Sequence, residues 1–123
     1  MTSLRRIVLA VLLALSIIGC SPHKWTKQDI YMEGFWQGLN LIDWGQTRKI
    51  AQNPDKFHEV NPILGRHPSV GKVDAYMGAS AVAHVIITDW IPPKHRWFWH
   101  MVTITCSGLL VNQNFNIGLG WGW

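Results

Sequence analysis

The chain has 123 residues, enough for one domain, and a net charge of +4 to which Arg5 and Arg6 contribute two. Its weak charge and the lack of a basic stripe interleaved with aromatic residues exclude a nucleic-acid-binding protein as the expected class. Cys20 and Cys106 give no disulfide framework. Eight tryptophans in so short a chain indicate a core, a binding surface or a membrane interface.

The N-terminal segment is patterned as a secretory signal. Arg5 and Arg6 precede an apolar run over residues 7–18, which is too short to span a bilayer. The run ends in Ile17-Ile18-Gly19-Cys20, which resembles the bacterial lipobox. That resemblance implies cleavage before Cys20 and lipidation of its sulfur. It also implies acylation of the new N-terminus, and two or more acyl chains anchor a protein stably in a membrane.

The same resemblance predicts where the protein is located. In lipoproteins the usual signal for inner-membrane retention is Asp after the cysteine, so Ser21 favours the periplasmic side of the outer membrane. The expected organisation is a signal peptide over 1–19, a lipidated tether over 20–26 and a single helical membrane-associated domain over 27–123. An uncleaved signal anchor, in which Cys20 is incidental, is the alternative.

The body is expected to be all-α, with about three helices at roughly residues 27–52, 70–91 and 94–115. Thr26 and Asp29 are spaced as a capping box that starts the first helix. Ser69 is a plausible N-cap of the second helix, and Pro92-Pro93 ends it. The glycine-rich C-terminal tail is expected to be irregular.

The second and third helices are expected to form a hairpin in a small membrane-associated bundle. Each has an apolar stretch of roughly 17 to 20 residues, just long enough to cross a bilayer core. The tryptophans expected at a membrane interface are Trp90, Trp97, Trp99, Trp121 and Trp123. If both helices span, the protein lies in the inner membrane. Ala75, Ala79 and Ala83 recur every fourth residue and allow another helix to approach closely.

The first helix carries a mostly polar stripe at steps of three and four residues: Asp29, Glu33, Trp36, Asn40, Asp43 and Thr47. Its second half, with Glu59-Val60-Asn61-Pro62, resembles an uncharacterised bacterial family of small multi-helical membrane proteins. That family carries Asn-x-x-Asp-x-x-x-Thr in its first helix and Glu-x-Asn-Pro in the next loop. The resemblance covers roughly residues 40–72 and implies membrane association, but it supplies no activity that could be carried over to this chain. The lipobox and the shorter, more polar first helix depart from that pattern.

These polar residues have two interpretations. In the first, five side chains form a hydrogen-bonded clasp that fixes the long loop onto the first helix. Its members are Asn40, Asp43, Thr47, Glu59 and Asn61. In the second, Asp43 or Glu59 forms a catalytic acid/base pair with His84, or with His100. The histidine spacing matches no metal-binding motif, so neither a metal nor another cofactor is expected.

The expected function is that of a membrane-anchored envelope lipoprotein with a structural or protein-interaction role. Its expected partners are membrane lipid and another membrane or envelope protein. The first alternative is a small membrane enzyme, an acid/base hydrolase acting on lipid or cell-wall material. The second alternative is an exclusion or inhibitor lipoprotein of the envelope.

Overall fold

A computed structural model of the protein describes residues 3–19 and 23–123, and in that part of the chain it is all-helical, without strands. The four helices are α1 (Ser3–Gly19), α2 (Lys27–Gln52), α3 (Val70–Trp90) and α4 (Pro93–Asn116). The expected number of three helices is wrong, because the apolar N-terminal run forms a helix that packs against the body. The predicted lipidation site Cys20 and the sorting residue Ser21 lie outside the described residues.

The helices of the body begin where the local sequence predicts. The Thr26 side chain accepts a hydrogen bond from the Asp29 backbone N–H at 3.1 Å, and the Asp29 carboxylate accepts one from the Thr26 N–H at 2.9 Å. Ser69 accepts from the Lys72 N–H at the start of α3. These contacts satisfy backbone donors that have no partner inside a helix, which is why the predicted caps are confirmed.

The expected membrane-associated bundle is wrong, and so is the alternative in which the second and third helices span the bilayer. No described helix combines the length and the apolar character needed to cross a membrane. In α3 the charged side chains Lys72, Asp74 and Asp89 lie near the two ends and limit the uncharged stretch to residues 75–88. The packing also differs from a hairpin bundle: α2 lies against both α3 and α4, and α1 lies against α3.

The interior between the helices is rich in polar side chains, and many large apolar side chains lie outside. The buried polar and charged residues are Asp29, Glu33, Asn40, Gln46, Thr47, Asp74, His84, Thr88, Asp89, Arg96 and His100. Large apolar residues such as Phe98 and Leu109 are exposed. Because buried polar groups are costly without partners, interior hydrogen bonds decide how the helices pack.

A small apolar core ties the long loop over residues 53–69 to the helices. Trp44, Leu64, Val73 and Met77 form it, and Leu64 is 2 % exposed. The loop closes on itself through a bond from the Glu59 N–H to the Arg66 carbonyl at 2.9 Å. The core therefore holds the loop against α2 and α3.

The C-terminal tail packs on α2. The Gln46 side chain donates to the Gly120 carbonyl at 2.8 Å, and the Trp123 indole donates to the Leu41 carbonyl at 3.1 Å. Gly122 has a φ of 85° and lies against the backbone of Gly45, where a Cβ on either residue would overlap its neighbour. The absence of side chains at both glycines is what permits this approach.

Candidate functional site

One cluster of titratable side chains surrounds Asp43. A cavity of about 320 Å³ lies between α2, the long loop and α4, and its lining includes Asp43, His58, Glu59 and Asn114. Asp43 accepts hydrogen bonds from the Asn114 amide at 3.2 Å and from the Thr47 hydroxyl at 3.5 Å. Asp43 and Glu59, two of the predicted site residues, are therefore brought to one cavity.

Burial and charge act together on Asp43. Removal from water disfavours its charged form, and the nearby Glu59 carboxylate repels that charge, so the pKa of Asp43 is raised to about 6 despite the bond from Thr47. A carboxyl with such a pKa can take up and release a proton near neutral pH.

The five residues of the predicted clasp are distributed over several local contacts. The Glu59 carboxylate accepts from the N–H groups of Val60 and Asn61, and the Asn61 side chain accepts from the Ile63 N–H. Asn40 donates to the Met77 carbonyl of α3. Glu59 and Asn61 thus shape their own loop, and only the Asp43–Thr47 bond joins members of the clasp within α2.

His84 belongs to a second cluster. Its Nδ1 lies 2.8 Å from Glu33 Oε2 and 3.0 Å from Glu33 Oε1. Glu33 and Asp43 are ten residues apart on α2, a rise of about 15 Å. The structure therefore pairs His84 with Glu33, away from the cavity that holds Asp43 and Glu59.

Aromatic rings and hydroxyl groups surround the His84 ring. Trp36 stacks on it with ring centroids 3.7 Å apart, and Trp99 stacks at 5.0 Å. His84 Nε2 lies 3.0 Å from the Thr103 hydroxyl, and the Thr88 hydroxyl lies 3.1 Å from Glu33 Oε2. Residues of α2, α3 and α4 thereby hold the imidazole in one orientation.

The Glu33 carboxylate is stabilised in its charged form. Burial by itself would raise its pKa, but the hydrogen bond and charge of His84, with bonds from Gln37 and Thr88, hold the pKa of Glu33 below its usual value. Glu33 was on the predicted polar stripe of the first helix but was not among the candidate catalytic residues. Its spacing was visible in the sequence, whereas its partner on α3 was not.

His100 lies beside this pair and is fully buried. Its Nδ1 is 4.0 Å from Glu33 Oε2, and neither ring nitrogen has a hydrogen-bond partner among residues 3–19 and 23–123. Burial lowers the pKa of His100, more than the Glu33 charge raises it. The structure therefore brings His84 and His100 together. The carboxylate near both of them is that of Glu33, whereas the prediction paired them with Asp43 or Glu59.

Arg96, near the start of α4, is fully buried. Its guanidinium donates to the Asp29 carboxylate at 3.2 Å and to the carbonyls of Thr88 and Ile91 at 3.0 Å. The Trp25 ring lies 5.4 Å from its Cζ. Arg96 thus joins the start of α2 to the end of α3.

The interface tryptophans fall into two groups. Trp90, Trp97, Trp121 and Trp123 have more than half of their surface exposed. Trp99 differs from the expectation, since its indole N–H donates to the Thr88 hydroxyl at 2.9 Å and its ring stacks on His84. No protein-family model, curated protein or solved structure matches the chain.

Proposed function

We propose that the protein is a lipid-anchored lipoprotein of the bacterial envelope that binds an apolar helix of another envelope protein along α3. One observation carries the proposal: α1, which coincides with the predicted signal peptide, lies on the face of α3 that carries Ala75, Ala79 and Ala83. Small side chains at this spacing allow close helix approach. A cavity of about 740 Å³ remains between the two helices.

An ion pair marks one end of this face. Arg6 of α1 donates to the Asp74 carboxylate at 2.9 Å, and Asp74 also accepts from Arg48 at 2.6 Å and from the Trp44 indole at 2.8 Å. The basic partners hold the pKa of Asp74 below its usual value although burial opposes them. An apolar helix with one basic side chain therefore matches the chemistry of the face.

Signal cleavage connects the lipobox to this face. Cleavage before Cys20 would remove α1, which ends at Gly19. The processed protein would then present the small-residue face of α3, together with Asp74, for a helix of the partner. The acyl chains on Cys20 would hold the domain at the periplasmic surface, with Ser21 favouring the outer membrane. The exposed rings of Trp90 and Trp97 suit contact with lipid headgroups.

Mass spectrometry of the purified protein tests the anchor. We expect a mature chain that begins at Cys20 and carries diacylglycerol and an N-acyl chain. Cys20→Ser should abolish both processing and lipid, whereas Cys106→Ser should change neither. Cys106 is the matched control because it is the other cysteine and is exposed. A wild-type chain that keeps residues 1–19 would contradict the proposal.

A synthetic peptide of residues 3–19 tests the binding face, because it is the helix that occupies that face here. Added to the processed protein, it should bind and change the fluorescence of Trp44, which lines the cavity. Arg6→Glu in the peptide should weaken binding by at least about tenfold, the effect of losing 1.4 kcal/mol. Arg5→Glu should have little effect, since Arg5 is exposed.

Two results would contradict this binding mode. One is equal binding of the Arg5 and Arg6 variant peptides. The other is unchanged binding after Ala79→Leu in the protein, which places a large side chain on the proposed contact face. Ala79 is exposed beside the cavity, so the variant is expected to fold.

Acid/base hydrolysis in the Asp43 cavity is the second candidate function, favoured by the raised pKa of Asp43 beside Glu59. In this form of the hypothesis His58, which also lines the cavity, takes the place of His84. Asp43→Asn and Glu59→Gln should each abolish hydrolysis of phospholipid or peptidoglycan fragments, and Asp55→Asn should not. Full activity of Asp43→Asn would contradict this candidate.

A further inference from the structure

The cluster of Glu33, His84 and His100 carries an inference that is independent of the helix-binding face. Each of the three side chains comes from a different helix, α2, α3 and α4 respectively, and all three are buried. One carboxylate oxygen and one nitrogen from each imidazole lie within 4.8 Å of one another. No short sequence motif indicates this set, because Glu33 and His84 are 51 residues apart along the chain.

His100 is the observation that points to a ligand. Within the described part of the chain both of its ring nitrogens lack a hydrogen-bond partner, although the side chain is 0 % exposed. Burying a polar group without a partner is costly, and such groups are rare in native structures. Its Nδ1 faces Glu33 Oε2 at 4.0 Å. A cation bound between His100 Nδ1 and Glu33 Oε2 would give this nitrogen a partner.

The donor set suits a transition metal. Two imidazoles and one carboxylate bind Zn²⁺ in catalytic zinc sites and Fe²⁺ in non-haem iron sites. Two ligand atoms that are each about 2.1 Å from a metal lie about 3 to 4 Å apart, depending on the angle between them. The separations of Glu33 Oε2 from His84 Nδ1, 2.8 Å, and from His100 Nδ1, 4.0 Å, are close to that range.

Outer hydrogen bonds already orient two of the three ligands. The Thr103 hydroxyl donates to the Trp99 carbonyl at 3.0 Å, so its oxygen is available to accept from His84 Nε2–H. The Gln37 amide donates to Glu33 Oε1 at 2.8 Å, and Oε2, which lies 3.1 Å from the Thr88 hydroxyl, keeps a second lone pair for a metal. Such second contacts fix the tautomer and orientation of metal ligands.

We propose that Glu33 Oε2, His84 Nδ1 and His100 Nδ1 together bind one divalent transition-metal ion, with Zn²⁺ as the first candidate. Coordination replaces the direct bond between His84 and Glu33, and the proton on His84 Nδ1 is released to solvent. The three ligands leave one position of a tetrahedral zinc site open.

The test uses the full chain without an affinity tag, refolded with Zn²⁺ or Co²⁺ because the site is buried. Equilibrium dialysis should give one tightly bound ion per chain, and bound Co²⁺ should show visible absorption of a low-symmetry site. Zn²⁺ should also raise the midpoint temperature of unfolding, since a ligand that binds only the folded state stabilises that state.

Variants distinguish this site from adventitious surface binding. His100→Gln and Glu33→Gln should lose the stoichiometric ion, and Thr103→Val should bind at least about tenfold more weakly. His95→Gln is the matched control, because His95 is an exposed histidine on the same helix as His100. Its affinity should equal that of the wild type.

The proposal is overturned if the wild type binds no stoichiometric ion, or if His100→Gln binds as well as His95→Gln does. If His100→Gln does not fold, X-ray absorption of the Zn²⁺-loaded wild type decides the question. Two imidazole ligands and one carboxylate ligand support the site, and any other protein ligand set, including surface binding only, contradicts it.

Discussion

The His84 ring lies flat against Trp36, with the ring centroids 3.7 Å apart and the ring planes 7° apart. The same imidazole is 2.8 Å from the Glu33 carboxylate, so one contact orients the ring and the other provides its polar partner. Trp36 and Glu33 are three residues apart on α2 and therefore lie on one face of that helix. The pairing of α2 with α3 depends on this polar and aromatic contact.

Replacing His84 tests that dependence. His84→Ala leaves the buried Glu33 carboxylate without its principal partner, and the free energy of unfolding should fall by about 3–5 kcal/mol. The double variant Glu33→Met/His84→Met should recover part of this loss, because it removes both polar groups. Urea denaturation measures each value. His95→Ala is the exposed control, and an equal loss in that variant would refute the assignment.

Arg96 is expected to be as important as His84 for stability. Arg96→Met removes donors to the Asp29 carboxylate and to the backbone carbonyls of Thr88 and Ile91, and should cost about 3–5 kcal/mol in the free energy of unfolding. Lys94→Met, at an exposed position two residues away, should change it by less than about 0.5 kcal/mol. Similar values for the two variants would show that the buried guanidinium contributes little.

Two glycines of α2 should respond in opposite directions to the same substitution. Gly38→Ala meets no atom within 4 Å and should stabilise the protein by about 0.5–1 kcal/mol, because alanine favours helix. At Gly45 a Cβ would overlap the Trp123 indole, so Gly45→Ala should destabilise by about 1–3 kcal/mol. Faster amide hydrogen exchange over residues 118–123 in Gly45→Ala alone would show that the tail has been displaced. Unchanged exchange there would contradict the packing of the tail.

Asp43 should make stability depend on pH in a defined direction. Its pKa is raised from the ordinary value of 3.8 to about 6 by burial and by Glu59. The folded protein therefore holds this proton at pH values where the unfolded chain has lost it. The contribution of Asp43 to the free energy of unfolding is complete below pH 3.8 and is lost as pH rises through about 6.

Asp43→Asn removes this titration while keeping a polar group of the same size. Relative to the wild type, the free energy of unfolding of the variant should be higher by up to roughly 3 kcal/mol at about pH 8. This difference should shrink towards zero near pH 4. Urea denaturation at several pH values measures the difference, while Glu59 and His58 remain in the cavity of both proteins. A difference that is independent of pH would contradict the raised pKa. Asp55→Asn, at an exposed loop position, is the control.

The polar stripe of α2 shows how far the sequence predicted the site. Spacing at three and four residues placed Glu33 and Asp43 on one face, and both lie against other helices as that pattern indicates. It did not distinguish which carboxylate would meet His84. Glu33 is 51 residues from His84 along the chain, and no local rule selects among the three acidic residues on the same stripe.

The apolar patterns of α3 and α4 misled for a related reason. Their length and flanking tryptophans favoured a membrane hairpin, yet no described helix can span a membrane. Trp99, predicted at a membrane interface, donates to Thr88 in the interior, and Arg96 is likewise buried against Asp29. The type of a residue determines which groups its side chain can bind. The position of that side chain relative to distant helices determines which of these groups it does bind.

The sequence by itself determined where the helices of the body begin and end, because caps such as Thr26 and Ser69 and breakers such as Pro92 act within a few residues. The lipobox resemblance at Ile17-Ile18-Gly19-Cys20 is also read from neighbouring residues alone, and it stays a prediction. Only the tertiary structure decided that Glu33, His84 and His100 meet, and that α1 covers the small-residue face of α3. These contacts join segments far apart in the chain, and they form because buried polar groups must find partners across helices.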